Sequence, residues 1–334
     1  MEKFNLDKEA KSVIDDMIIA ETNGRTPMHL LSPSDARKSY LAMRSALSPP
    51  TPKVGIIKNF NIPAKKHHIP CRYYRGLKNL NSMHLPVMIF FHGGGWVIGD
   101  LDTHDTICRQ LSNQGNFDVI SIDYRLSPEH PFPAAIDDAF TAVNWIAKNG
   151  SNTFKILNNK IAVCGDSAGG NLATVTCLNS INYGPFLSCQ ILIYPSVDIG
   201  NKYNSHTKYE GLILSRKLMD YFENHYIQDK RLIPNNELWK LAPINSKNLS
   251  KFPPTFISVA ECDPLSDEGI VYSNKLKNAG VEVKTEIFSG QIHGFLTMGA
   301  RISAANKLIN MISNYADKQF NKKKFLLPFI SLHL

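Results

Sequence analysis

The chain has 334 residues, 43% of them hydrophobic and 20% charged, which is enough apolar material for a large core and argues against intrinsic disorder. Its formal charge of +8 comes from 37 Lys and Arg against 29 Asp and Glu. The basic residues are scattered apart from Lys65-Lys66 and Lys322-Lys323-Lys324, so no stripe or module argues for nucleic acid as a partner.

Residues 1–20 carry charges throughout and one short apolar cluster, Met17-Ile18-Ile19-Ala20. Neither a signal peptide nor a membrane span is expected there, and no run reaches spanning length, so no stable membrane insertion is expected. Phe4, Leu6, Ile14, Met17 and Ile18 fall at near-helical spacing, and residues 34–47 repeat the habit before the breaker Ser48-Pro49-Pro50-Thr51-Pro52. Residues 1–52 therefore read as N-terminal cap helices. From residue 53 short β-rich runs follow, at 54–62, 69–75 and the strongly apolar 85–91. Strand and helix patterns then alternate: strand 119–124, helix 134–148, strand 160–164, helix 171–180 and strand 190–194. Residues 198–245 break this rhythm with a mixed polar and aromatic stretch, read as a cap insertion. It resumes with strand 255–260, helix 268–279, strand 281–288 and a closing helix over 300–316. The alternation predicts an α/β catalytic domain over 53–320, with a mostly parallel, twisted sheet of about eight strands, helices on both faces and a helical cap. Catalytic loops are expected at the strand C-termini. Residues 321–334 are left as a C-terminal tail. Its run Phe325-Leu326-Leu327-Pro328-Phe329-Ile330 is too short to span a bilayer, and with the closing helix it allows a homodimer. Six cysteines lack C-x-x-C spacing and read as buried, reduced thiols, which favours a cytoplasmic location over a disulfide or zinc framework.

Gly165-Asp166-Ser167-Ala168-Gly169-Gly170 directly follows the apolar run Ile161-Ala162-Val163-Cys164 and opens a helical stretch. A G-x-S-x-G sequence in that context is a nucleophile elbow, in which a sharp strand-to-helix turn leaves the serine hydroxyl exposed. A serine needs a base to take its proton and a carboxylate to orient that base. Both follow in the chain, Asp263 just past strand 255–260 and His293 just past strand 281–288. A donor cluster for an oxyanion is expected in His92-Gly93-Gly94-Gly95-Trp96, after strand 85–91, because consecutive glycines can turn successive N–H groups toward one point. The candidate set is therefore Ser167, Asp263 and His293 for chemistry, with Gly93, Gly94, Gly95 and the N–H of Ala168 for the oxyanion. No metal is assigned. His67-His68 is read as a surface pair, since adjacent strand residues face opposite sides. Asp166 is read as a turn carboxylate, Arg125 and Glu129 as structural polar contacts, and Asp267 and Glu268 as acids at a helix N-terminus.

These motifs, with Asp263-Pro264-Leu265, His293-Gly294-Phe295 and the long run Asp123-Tyr124-Arg125-Leu126-Ser127-Pro128-Glu129-His130-Pro131-Phe132-Pro133-Ala134-Ala135, resemble the hormone-sensitive-lipase-like esterases of the α/β-hydrolase fold. The resemblance covers about residues 70–316. It implies a serine carboxylic-ester hydrolase without metal or organic cofactor, acting on small or short-chain acyl esters, with His92 bracing the glycine loop. Two alternatives share the motifs. One is a deacetylase or amidase on the same triad. The other is a non-catalytic small-molecule receptor, a class that lacks the catalytic histidine present here as His293.

Overall fold

The computed structural model describes residues 4–322, so most of the expected tail lies outside the described residues. Two helices come first, α1 (Lys8–Thr22) and α2 (Pro33–Leu47). Both start where the sequence supplies a cap. The Asp7 carboxylate accepts from the Glu9 and Ala10 N–H groups, and the Ser32 hydroxyl accepts from Asp35 N–H with Pro33 in the first turn.

The eight strands are β1 (Ile56–Pro63), β2 (His68–Arg75), β3 (Leu85–Phe91), β4 (Asp118–Ile122), β5 (Ile156–Asp166), β6 (Cys189–Ile193), β7 (Thr255–Cys262) and β8 (Val283–Ile292). They form one sheet in the order β1-β2-β4-β3-β5-β6-β7-β8. The pairs β1–β2 and β2–β4 are antiparallel and the rest parallel. The apolar runs dictate which strands lie at the centre: every residue of β3, β4 and β6 is buried, as parallel strands covered on both faces require. Strand β1, at the edge, exposes its first four residues.

The crossover helices are α3 (Asp105–Gln114), α4 (Ala134–Phe154), α5 (Ala168–Tyr183) and α8 (Ser266–Asn278), and α9 (Ser303–Asn321) follows the last strand. Between β6 and β7 lie α6 (Asn204–Lys208), α7 (Arg216–Ile227) and a string of 3-10 turns. The α/β sheet is the architecture expected from the sequence alternation. Helix α3 is not among the expected elements, because Asp105-Thr106-Ile107-Cys108-Arg109-Gln110-Leu111 offers only three apolar residues per two turns, all of them buried. Helix α4 continues six residues past its expected end, through Gly150, to a left-handed cap at Lys155.

Packing divides by sheet face. One cluster gathers α4, α5 and α8 against one face through Ile89, Ile120, Val163, Leu172 and Tyr272. The other gathers α3 and α9 through Phe90, Leu111, Phe256 and Ile312. A third, smaller cluster joins α2, the loop after β3 and α7 through Ala36, Tyr40, Val97, Ile98, Leu214 and Phe222. Burying one side chain of the Phe or Leu type contributes about 1.5–3 kcal/mol, so this third cluster is enough to hold the helices over the strand ends. All six cysteines are free and buried. Among the described residues no helix is long and apolar enough to cross a membrane.

Candidate active site

Strand β5 ends at Asp166 and α5 begins at Ala168, so Ser167 alone makes the turn. It does so at φ 55°, in the left-handed region that costs a side-chain-bearing residue energy. Two contacts hold it there: Ser167 N–H donates to Ile193 O at 2.9 Å, and Gly170 N–H donates back to Ser167 O at 2.9 Å. The turn is tight because α5 presses on the end of β3. A Cβ at Gly169 would lie 2.0 Å from Phe91 O, which no side chain can satisfy.

The loops after β7 and β8 bring the other two candidates to the same point. His293 Nε2 lies 2.9 Å from Ser167 Oγ, and His293 Nδ1 lies 2.7 Å from Asp263 Oδ2. Asp263 is wholly buried, and its second oxygen accepts from Leu265 N–H at 2.9 Å. The Tyr194 ring packs on the imidazole, with centroids 4.9 Å apart. A hydroxyl, an imidazole and a buried carboxylate in this line can move a proton off the hydroxyl while the carboxylate holds the ring.

The glycine loop is braced from three directions. The His92 ring is buried and stacked on Tyr124 at 4.3 Å, and its Nδ1 lies 2.9 Å from Gly93 O. Burial, with the charge of nearby His104, pushes the His92 imidazole down to about 4, so the ring is neutral near pH 7. Tyr124 O–H donates to His92 O at 2.7 Å. Finally, Gly93 N–H donates to Asp166 Oδ1 at 2.8 Å. This last bond corrects one expectation. The Gly93 N–H is committed to a carboxylate and is not free for an oxyanion, whereas Gly94 and Gly95 line the cavity that holds Ser167. The donor set compatible with the geometry is Gly94, Gly95 and Ala168.

Asp166 is therefore more than the turn carboxylate read from sequence. It ties the elbow to the glycine loop. Burial alone would raise its carboxyl, but the attraction of His104 and the Gly93 hydrogen bond outweigh that and hold it below the ordinary value. His104 Nε2 lies 3.2 Å from Asp166 Oδ1, at ion-pair distance but without hydrogen-bond alignment. The adjacency of Asp166 to Ser167 was the signal available in the sequence. The long run after β4 has a similar duty. Arg125 grips Asp138 through Nε and Nη2, both at 2.9 Å, and His67 Nε2 meets the same carboxylate at 2.8 Å, so His67 is not a free surface histidine. Glu129 pairs with Arg37 of α2. Glu268 stands in the first turn of α8, as the sequence indicates, and is buried there. It is 2% exposed, its Oε1 accepts from Val197 N–H at 2.7 Å, and burial pushes its carboxyl up to about 8.

Two compartments meet at Ser167. A cavity of about 310 Å³ extends from the serine toward Met17, Tyr40, Arg44, Leu218 and Phe222. A smaller one of about 40 Å³ also reaches the serine and is lined by Trp96, Ala168, Leu214 and Met219.

Residues 88–297 match the family model described as the alpha/beta hydrolase fold. The carboxylic ester hydrolase LipN of Mycobacterium tuberculosis is 37% identical over 274 residues, covering 79% of this chain and 72% of LipN. An ethyl acetate hydrolase of Pseudomonas putida is 31% identical over 293 residues, covering 86% of this chain and 90% of its own length. Among solved structures, an ester hydrolase from the metagenome of Lake Arreo superposes with a TM-score of 0.90 at 34% identity, covering 95% of this chain and 100% of that one. With the elbow, the glycine loop and the Asp, His, Ser line already assembled on this sheet, these likenesses establish that the chain belongs to the hormone-sensitive-lipase-like carboxylesterase family of the α/β-hydrolase fold.

Proposed function

We propose that this protein hydrolyses small or short-chain acyl esters through an acyl-enzyme formed on Ser167. His293 takes the Ser167 proton as the hydroxyl attacks the ester carbonyl, and Asp263 fixes the imidazole and steadies its positive charge. The tetrahedral oxyanion is held by the N–H groups of Gly94, Gly95 and Ala168. His293 then protonates the leaving alcohol, and a water activated by the same ring releases the acid and restores Ser167. No metal or organic cofactor enters these steps.

The observation that carries this reading is the unbroken line of contacts, 2.7 Å from Asp263 to His293 and 2.9 Å from His293 to Ser167. The small compartment beside Ala168 supports a short acyl group, since about 40 Å³ leaves little room beyond a few carbons. The helices of residues 1–52 and the segment 198–245 act as the cap that selects the substrate. Six buried, unpaired thiols favour a reducing compartment, and we place the protein in the cytoplasm.

The test is a p-nitrophenyl ester series from acetate to palmitate, with Ser167→Ala beside the wild type. Turnover concentrated on short chains, and a loss on the order of 10⁶ in kcat for the variant, is the expected result. A folded wild type inactive on every chain length would sink the reading.

A further inference from the structure

The cavity above Ser167 holds a charge that the reaction just described does not use. Arg44, on the last turn of α2, is 3% exposed and lines the same cavity as Ser167 and His293. Its Nε and Nη1 are buried without a hydrogen-bond partner, and among the described residues none forms an ion pair with its guanidinium. Its close neighbour is the Tyr40 ring, 4.8 Å from Cζ. A ring face recovers only part of what a guanidinium loses on leaving water, so a buried arginine in this state is poised for an anion. Neighbouring arginines show the contrast. Arg37 donates to Val97 O, Ser127 O and both oxygens of Glu129. Arg25 donates to Met17 O and sits 3.5 Å from Glu21. Arg44 alone of these three faces the cavity unsatisfied.

The form of the anion follows from the walls. Glu21 and Asp166 line the same cavity, but Glu21 stands against Arg25 and Asp166 is held by Gly93 N–H and His104, so among the described residues Arg44 is the cation there without an acidic partner, and one carboxylate matches one planar guanidinium. Met17, Met43, Leu218 and Phe222 supply an apolar wall beside Arg44, suited to methylenes. We propose that Arg44 is a specificity-determining residue that binds a carboxylate on the larger substituent of the ester, so that this site takes mono-anionic esters whose carboxylate and scissile bond are separated by an apolar spacer. The inference rests on the ester-hydrolase reading above, and its test is arranged so that the two can fail separately.

Two matched pairs place the carboxylate on either side of the ester: monoethyl adipate against ethyl hexanoate, and 6-acetoxyhexanoate against hexyl acetate. The readout is the anionic-to-neutral ratio of kcat/KM within one enzyme, which a general loss of folded protein does not move. In at least one pair the wild type favours the anionic member, and Arg44→Met lowers that ratio about 10- to 100-fold, as expected for a charged hydrogen-bonding partner removed from a buried site. Arg44→Lys, which keeps the charge without the fork, gives an intermediate ratio. The same ratio in wild type and Arg44→Met for both pairs, or a wild type that rejects both anionic members, overturns the proposal. Binding of 6-acetoxyhexanoate by calorimetry, with and without Arg44→Met in the Ser167→Ala background, separates the two readings. If the wild type turns over no ester, binding at least tenfold tighter with Arg44 in place than after its replacement sustains this inference while the hydrolase reading falls, and equal binding ends both.

Discussion

The floor of the active site and its roof are built on different principles. On the floor, at the C-terminal ends of β3, β5, β7 and β8, backbone does the positioning. Ser167 is held at φ 55°, Gly93 N–H is tied to Asp166, and His293 is pinned between Asp263 and Ser167. Over it, α2 and α7 meet through the side chains of Tyr40, Met43, Leu218 and Phe222, Met17 of α1 lines the same cavity, and one buried arginine is left unsatisfied. The floor fixes what reaction can occur, because oxyanion donors must be placed to a fraction of an ångström and must not relax. The roof fixes what enters, and long side chains on packed helices can be exchanged without moving a strand.

Gly95 is where the two meet, and it gives the sharpest way to break the comparison. Its φ is +58°, and a Cβ there would lie 2.1 Å from the Phe222 ring of α7. Gly95→Ala is expected to lower kcat/KM by about 10²–10³, the range for loss of one oxyanion donor. Adding Phe222→Ala removes the collision with the roof. If floor and roof are separable, the double variant recovers only part of the loss, since the loop still carries a side chain at a positive φ. Full recovery would mean that the roof, through Phe222, sets the oxyanion geometry.

The same division decided how much of the site could be read from the sequence. Ser167 and Asp263 were legible because each stands just past an apolar run, and His293 because it follows a strand of mixed polarity; in each case the strand delivers the residue to a common edge. The committed state of Gly93 was not legible. That Gly93 rather than Gly95 loses its N–H depends on the Asp166 rotamer and on a contact across 73 residues of chain. Glu268 was placed in the right turn of the right helix, but its burial was not legible, since sequence tells which turn an acid occupies and not whether the loop at Val197 covers it. Arg44 carried no signal. An arginine near the end of a helix is ordinarily a solvated partner of the helix dipole, and only the closing of α2 onto the strand ends buries it.

Glu268 tests whether the floor has a layer beneath it. Its carboxyl is buried beside Val197, and Asp198 and Asp263 add to the cost of ionising it. The folded chain holds the proton up to about pH 8, while the unfolded chain releases it near the ordinary glutamate value. The folded state therefore loses stability as pH rises between those two values, and the cost is constant above the upper one. Glu268→Gln keeps an oxygen for Val197 N–H and removes the ionisation. Its Tm relative to wild type should rise from pH 5 to pH 9 by about 3–6 °C, for a relief of about 2–4 kcal/mol in a chain of this length. A difference independent of pH would show that Glu268 is ionised in the fold, with a partner not identified among its contacts.

The smallest expected effect lies at the hinge between roof and floor. Arg37 of α2 reaches Val97 O, just beyond the glycine loop, and Ser127 O of the run after β4, each at 2.8 Å, and also grips Glu129 at 2.8 and 2.6 Å. Those bonds hold the Glu129 carboxyl down to about 2. Because its folded value is depressed, Glu129 adds stability that is present above the ordinary glutamate value and lost as pH falls toward 2. With the Glu129 side chain 54% exposed, solvent screens the pair, and Glu129→Gln should cost about 1 kcal/mol or less at pH 7, with the Tm difference narrowing below the ordinary glutamate value and closing only as pH falls toward 2. The two carbonyl bonds stay in the variant, so kcat/KM should fall by no more than about threefold. A tenfold loss would show that the ion pair itself, rather than the backbone contacts of Arg37, sets the seat of α2 on the glycine loop, and the separation of roof from floor would then fail at its only charged joint among those described between α2 and the run after β4.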